Sequence, residues 1–234
     1  LLKAADDAAM LRRIIKETSE RHGYEATFMA KPFLEETGNG MHLHLSVYDD
    51  NEKNIFATSS RYGNKKLHHA IAGFQSTFYD SFPIFIPNRN GYRRIQRKNF
   101  VPVNTSWSWN RRDVSLRIPA GSDDAKRIEH RVASADANPY LVLACLLAGL
   151  HNGLTNELEP SNKVDFDNTE GADKEADSDM PKNMEQALAR FQSSKLLKKY
   201  LGKEYLELYT AAKQGESEHI ESSFVPREEY DLYL

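Results

Sequence analysis

The sequence predicts an α+β fold, and three observations carry that expectation. Segments of helical and of strand periodicity are mixed along the 234 residues without a regular strand–helix–strand alternation. No internal repeat interrupts them. The composition, 40% apolar and 28% charged, is that of a chain able to bury a core. The length suits one large domain or two small ones, with one the simpler division.

The elements follow in chain order. Ala4, Ala8, Leu11, Ile15 and Thr18 recur at spacings of three or four, which predicts a helix over 4–22. Tyr24 to Met29 reads as a strand. Met41 to Tyr48 alternates, with Met41, Leu43, Leu45 and Val47 on one face and His42, His44, Ser46 and Tyr48 on the other. Leu67, Ala70 or Ile71, Phe74 and Phe78 mark a helix that must stop before Pro83. Val114, Leu116 and Ile118 alternate with Ser115 and Arg117, another strand closed by Pro119. Arg127, Glu129 and Arg131 alternate with Ile128, His130 and Val132. Ala137 to Leu154 is an apolar helix opened by Asn138-Pro139. Helical pieces are expected at about 182–200, 203–213 and 226–233.

No run of about 18 apolar residues occurs, so no transmembrane helix and no membrane partner are expected. The first residues lack the basic and apolar stretches of a signal peptide. The one cysteine, Cys145, leaves no internal disulfide and suits a reducing, cytoplasmic setting. Net charge is only −3, but it is unevenly spread. Between Asn88 and Arg131 eleven basic residues face four acidic ones, +7 in all. Between Glu157 and Glu185 ten acids face three lysines, −7. The basic stretch is either a solvated face or a site for an anion, and its bias toward Arg favours bidentate phosphate or carboxylate recognition. It contains no nucleic-acid module, so no nucleic-acid partner is expected. The acidic stretch, about 157–180, reads as a mobile segment too polar to bury.

Three strand faces carry the candidate chemistry. His42, His44 and Ser46 line one face at about 7 Å steps. Such a pair of histidines is either a surface feature or part of a metal site. Gly38-Asn39-Gly40 just before them permits close backbone approach. Arg127-Ile128-Glu129-His130-Arg131 puts a carboxylate between two guanidiniums. That is either an ion-pair ladder or a metal ligand flanked by anion-binding arms. Arg112 and Arg117 lie on or beside the strand over 114–118. If these faces converge, they suit Mg²⁺ and a nucleotide polyphosphate. No Walker-type phosphate loop exists.

These blocks resemble the glutamine synthetase family. Gly38-Asn39-Gly40-Met41-His42-Leu43-His44-Leu45-Ser46 resembles the signature around its metal histidine. Asn90-Gly91-Tyr92-Arg93-Arg94, Asn110-Arg111-Arg112 through Arg117-Ile118-Pro119, and Arg127 to Arg131 followed by Ala137-Asn138-Pro139-Tyr140 are similar to further blocks, in the same order. The resemblance covers nearly the whole chain. It implies an antiparallel sheet packed with helices, incomplete here. The family's N-terminal β-grasp domain and first catalytic segment would precede Leu1.

The resemblance also implies an activity: ATP phosphorylates the γ-carboxylate of glutamate, and an amine displaces the phosphate. Cofactors would be ATP with Mg²⁺ or Mn²⁺, partners glutamate and a small amine, and assembly a ring-like homo-oligomer. By position, His42 and Glu129 resemble metal ligands. His44, Ser46, Arg112, Arg117 and Arg127 resemble ATP contacts, with Arg112 also catalytic near the transferred group. Gly38, Arg94 and Arg131 resemble glutamate contacts. Phe100 stands where ammonia-using members carry a catalytic glutamate, which a phenyl ring cannot replace. That and Arg131 to Leu141 resemble the γ-glutamyl-polyamine (putrescine) branch, so a polyamine is the expected amine. Thr37 and Asp124 depart from the family's usual Asn and Lys. Ammonia-using glutamine synthetase, an inactive binding or regulatory fragment of this fold, and a histidine metal hydrolase are the alternatives.

Overall fold

A computed structural model describes residues 1–95, 101–165, 167 and 177–223. A long helix α1 (Leu2–Arg21) leads into an irregular stretch and then strand β1 (Leu43–Leu45). Helices α2 (Lys65–Thr77), α3 (Phe82–Phe85) and α4 (Arg89–Tyr92) follow. Strands β2 (Trp107–Trp109), β3 (Leu116–Ile118) and β4 (Ile128–His130) come next. The described chain ends in α5 (Pro139–Thr155), α6 (Met184–Ser193), α7 (Lys195–Leu201) and α8 (Lys203–Ser223).

The four strands lie in the order β1-β4-β3-β2. β1 with β4 and β4 with β3 are antiparallel, as expected, whereas β2 runs parallel to β3 at the edge. Side chains alternate across this sheet. Leu45, Leu116, Ile118, Ile128 and His130 point into the core, and the last four are wholly buried. His42 and His44 point out to solvent.

Below the sheet, α2 and α5 form the closest helix pair, and glycine makes the approach possible. A Cβ on Gly73 would stand 2.9 Å from both the Gly149 carbonyl carbon and the Gly153 Cα. Each helix start is capped as its sequence dictates. Asn64 Oδ1 accepts from Leu67 N–H at 3.0 Å, and Asn138 Oδ1 accepts from Tyr140 N–H at 3.0 Å ahead of Pro139.

Several expectations change. Residues 24–29 form no strand, because among the described residues no other strand forms a ladder with them. The strand over 41–48 shrinks to Leu43–Leu45, since β4 offers partners only that far, with isolated bridges at Gly40–Ser134 and Tyr48–Asn54. The helix over 182–200 breaks at Ser194, whose hydroxyl accepts from Leu197 N–H at 3.2 Å and starts α7. The next helix runs on to Ser223 rather than 213. The helix expected over 226–233 lies outside the described residues. β2, α3 and α4 have no counterpart in the expectations. The acidic stretch is tied at both ends: Val164 N–H donates to the Trp107 carbonyl at 2.9 Å, and Asp177 N–H to the Val103 carbonyl at 3.2 Å. Its middle lies outside the described residues. Among the described residues, no helix is long and apolar enough to cross a membrane.

Candidate functional site

Strand register places the expected residues in a row. His44 on β1 lies opposite Glu129 on β4, and Glu129 lies opposite Arg117 on β3. Directly opposed residues share a face, so these three side chains stand together on the side away from the core. His42, Arg127 and Arg131 join them at the period of two.

Glu129 is the hub. Its side chain is almost wholly buried, and three groups meet its carboxylate. Arg131 Nη1 donates to Oε1 at 2.7 Å, and His42 Nδ1 lies 3.1 Å from the same oxygen. Arg117 Nε forms an ion pair with Oε2 at 2.9 Å without hydrogen-bond alignment. Burial alone would raise the carboxyl pKa. The His42 hydrogen bond and the Arg131 and Arg117 charges outweigh it and hold the group at about 2. Glu129 is therefore an anion throughout the physiological range. The Arg117 guanidinium is shifted down by burial and by the neighbouring Arg131, Arg112 and Arg127 charges, with Glu129 opposing them. That crowding of cations attracts an anion.

The rim is arranged by the same strands. Arg127 Nε donates to His44 Nδ1 at 3.2 Å, and its Nη1 donates to the Ala125 carbonyl at 3.1 Å. Burial lowers the His44 pKa, so its imidazole stays a neutral acceptor at neutral pH. Arg112 stands exposed, near enough to Arg117 to perturb it. Ser46 is also exposed, its hydroxyl in a long 3.4 Å contact with the Lys126 carbonyl.

A second cluster forms around Arg94, which is 3% exposed. Its Nη1 donates to the Val132 carbonyl at 2.8 Å. Burial and the Arg131 charge lower its pKa to about 10, with Asp136 opposing. The Gly38-Asn39-Gly40 loop lies directly on this side chain. A Cβ on Gly38 would meet the Ala30 carbonyl oxygen at 2.6 Å and the Arg94 Cδ at 3.1 Å, and one on Gly40 would overlap the Arg94 Nη2. The two glycines are thus needed to let the loop seat over a guanidinium.

Of the expected residues, His42, His44, Arg117, Arg127, Glu129 and Arg131 come together on one face. Gly38 and Arg94 form the adjoining cluster, and Arg112 and Ser46 sit on the rim. Phe100 lies outside the described residues. Sequence reasoning missed Asp136, whose Oδ2 accepts from Asn88 Nδ2 at 2.7 Å and whose charge faces Arg94. Its place between Arg131 and Asn138-Pro139 was the available signal. It also missed Gly40 as a seat for Arg94.

His42 and Glu129 present a nitrogen and an oxygen donor side by side, a pair that a divalent cation can take. Among the described residues no group of three or more His, Cys, Asp or Glu side chains is assembled for a metal. These donors fit one flank of a cation site and do not enclose one. The buried carboxylate, crowded guanidiniums and glycine-covered arginine make this sheet face of an α+β domain a concentration of positive charge suited to anions.

Comparison with known proteins narrows this class. The family model for the glutamine synthetase catalytic domain matches residues 1–233. The chain is 38% identical over 216 residues to the gamma-glutamylputrescine synthetase PuuA of Escherichia coli (strain K12), covering 92% of this chain and 45% of that protein. It is 34% identical to the glutamate–isopropylamine ligase of a Pseudomonas species, over all of this chain and 51% of that one. It is also 34% identical to the glutamine synthetase of Methanocaldococcus jannaschii, over 92% of this chain and 49% of the relative. A solved structure titled "Apo GmaS without ligand" superposes with a TM-score of 0.80 at 28% identity, over 96% of this chain and 52% of that one. The chain belongs to the glutamine synthetase catalytic-domain family. It spans about half the length of the curated relatives it matches.

Proposed function

We propose that the protein is the glutamate- and phosphate-handling part of an ATP-dependent glutamate–amine ligase, with a polyamine such as putrescine as its amine. The observation that carries this reading is the row His44–Glu129–Arg117 with Arg131 and His42 beside it. Two of the relatives named above are ligases that join glutamate to alkyl amines.

In this reading Arg94 and Arg131 hold the carboxylates of glutamate, under the loop at Gly38. Arg117, Arg127 and the catalytic Arg112 neutralise phosphate charge as the γ-phosphoryl group passes to the glutamate γ-carboxylate. His44 and Ser46 contact ATP at the rim. His42 and Glu129 would hold Mg²⁺ or Mn²⁺, which supplies charge neutralisation at phosphate oxygens. The amine nitrogen then attacks the γ-glutamyl phosphate carbonyl and phosphate leaves. By the sequence resemblance, Phe100 stands where ammonia-using members carry a glutamate, and a phenyl ring, which cannot accept a proton, favours an alkyl amine over ammonium. We further place the protein in the cytoplasm, as a homo-oligomer.

The test is phosphate release by the whole protein with ATP and glutamate plus putrescine, isopropylamine or ammonia. Putrescine should be the best acceptor; ammonia equal to or above it would make the protein a glutamine synthetase proper. Glu129→Ala should lower activity by more than about 100-fold and shift its Mg²⁺ dependence. An unchanged Mg²⁺ dependence removes Glu129 from the metal site. A second reading, a non-catalytic binding module, is favoured by one observation: His42, Arg117 and Arg131 already engage the Glu129 carboxylate. No release with any amine would support it.

A further inference from the structure

Helices α6 and α8 pack against each other and leave between them a groove of about 300 Å³. Neither helix gives a residue to the sheet face described above. The floor of the groove is apolar: Met184 and Leu188 of α6 are both buried. Its rim is acidic, with Glu185 from α6 and Glu218 and Glu221 from α8. Arg89 pairs with Glu185 at 3.3 Å and with Glu221 at 2.5 Å, which gathers those two carboxylates at one end. Glu218, one turn further along α8, has no ion pair among the described residues. Three carboxylates against one guanidinium leave the rim net negative.

Thr210 sets this groove apart from a merely solvated acidic surface. It lines the same groove from α8 and is only 2% exposed, yet its hydroxyl has no hydrogen-bond partner among the described residues. A threonine inside a helix ordinarily turns its hydroxyl back to the carbonyl four residues earlier. A shielded hydroxyl without a partner is unfavourable, and a donor entering the groove would relieve it. Thr210, Glu218 and Glu221 fall within one arc of about 80° on α8 and span about 16 Å of its length.

That spread selects the ligand. Among the described residues no three His, Cys, Asp or Glu side chains converge as a metal site, so the rim does not suit a compact divalent cation. An elongated acidic groove with an apolar floor suits an elongated cation. Its ammonium groups would meet the carboxylates and the Thr210 oxygen, and its methylenes would lie on Met184 and Leu188. We infer that the groove between α6 and α8 binds a linear aliphatic polyamine, at a site separate from the sheet face. The inference does not rest on the proposed reaction.

The experiment titrates spermidine into this chain at low ionic strength, followed by calorimetry. One saturable site is expected. Glu218→Gln should weaken it about threefold to fivefold. Thr210→Val should weaken it about threefold while holding or raising the thermal midpoint, because a methyl of the same shape replaces an unpartnered hydroxyl. Glu204→Gln removes the same charge from the first turn of α8, outside the groove, and should leave the affinity unchanged. Glu129→Gln, on the sheet face, should also leave it unchanged.

Five results overturn the inference. The first is no saturable binding. The second is Glu204→Gln acting as strongly as Glu218→Gln, which would make the attraction diffuse. The third is Mg²⁺ displacing spermidine at equal concentration, which would make the groove a simple cation site. The fourth is a lowered midpoint in Thr210→Val, which would give its hydroxyl an internal partner. The fifth is loss of binding in Glu129→Gln, which would move the polyamine to the sheet face and favour the proposed function instead. Absence of phosphate release with any amine would sink that function and leave the groove standing.

Discussion

Gly73→Ala tests the packing that supports the site sheet, and its effect follows from two opposed quantities. Alanine in a helix interior is favoured over glycine by about 1 kcal/mol. Against this, the new Cβ would lie 2.9 Å from the Gly149 carbonyl carbon and from the Gly153 Cα, and closer still to the Gly149 oxygen. Ordinary contacts of a carbon with carbon or oxygen are at about 3.2–4.0 Å, so α2 and α5 must part by roughly 1 Å, with the oxygen setting the shift. Such a gap forfeits about a quarter to a half of the dispersion between facing atoms. Over a closely packed helix pair that is roughly 2–4 kcal/mol. The net expectation is a loss of about 1–3 kcal/mol, in the range of core overpacking. Backbone atoms cannot turn aside as a side chain can. With a urea dependence of about 3 kcal/mol per molar, the unfolding midpoint should fall by about 0.3–1 M. Gly215→Ala is the matched control, because in α8 its Cβ would meet nothing within 4 Å. It should raise the midpoint by about 0.3 M through propensity alone. If Gly73→Ala raises the midpoint as Gly215→Ala does, the two helices do not approach as described and the reasoning fails.

Three further predictions concern the site. Gly40→Ala should displace the Arg94 guanidinium, because the new methyl would overlap its Nη2. If the whole protein carries the proposed activity, its KM for glutamate should rise about tenfold or more with the KM for ATP little changed; equal change in both would detach Gly40 from the proposed glutamate site. His130 is wholly buried beside Phe78 and Phe85, and burial, with the His42 and Arg94 charges, pushes its pKa down to about 3. The unfolded chain takes up that proton near pH 6.5, so His130's contribution is complete above 6.5 and lost as pH falls toward 3. At pH 5 the loss is about 2 kcal/mol, and urea midpoints of His130→Leu should drop less between pH 7 and 5 than those of the native chain. Equal drops would contradict this. Phe100→Glu should raise the use of ammonia relative to putrescine; an unaltered ratio would end the argument for an apolar amine channel.

What could be read from the sequence follows physical range. The alternation of Arg127, Glu129 and Arg131, and of His42, His44 and Ser46, places those side chains on one face of a strand, and that much is local. Their convergence is not local. It needs the register that sets His44 and Arg117 on either side of Glu129. The ordered motif blocks supplied that through family resemblance, whereas periodicity could not. Strand β2 went unread because Trp107-Ser108-Trp109 is short and its parallel pairing with β3 is a tertiary choice. The strand expected at 24–29 failed for a different reason. Its pattern is sound, and what it lacks among the described residues is a neighbouring strand.

The two readings of Arg127-to-Arg131 left open by the sequence, an ion-pair ladder or a metal ligand between anion-binding arms, turn out not to exclude each other. Arg117 and Arg131 both bind Glu129, which is a ladder. His42 reaches the same carboxylate oxygen as Arg131, which is the shared corner a cation would need. With these partners the carboxylate is held at about 2 and stays charged. In the proposed site His42 and Glu129 would hold a divalent cation, which would supply the positive charge that Arg131 now gives Oε1. Arg131 released from that contact would be free to bind a second carboxylate beside Arg94. In the proposed site the ladder would keep Glu129 ionised and in place before those ligands bind. Arg131→Lys keeps the charge but not the forked geometry. It should therefore weaken glutamate binding more than it changes the Mg²⁺ requirement. A shift confined to the Mg²⁺ requirement would mean that Arg131 serves the carboxylate of Glu129 alone.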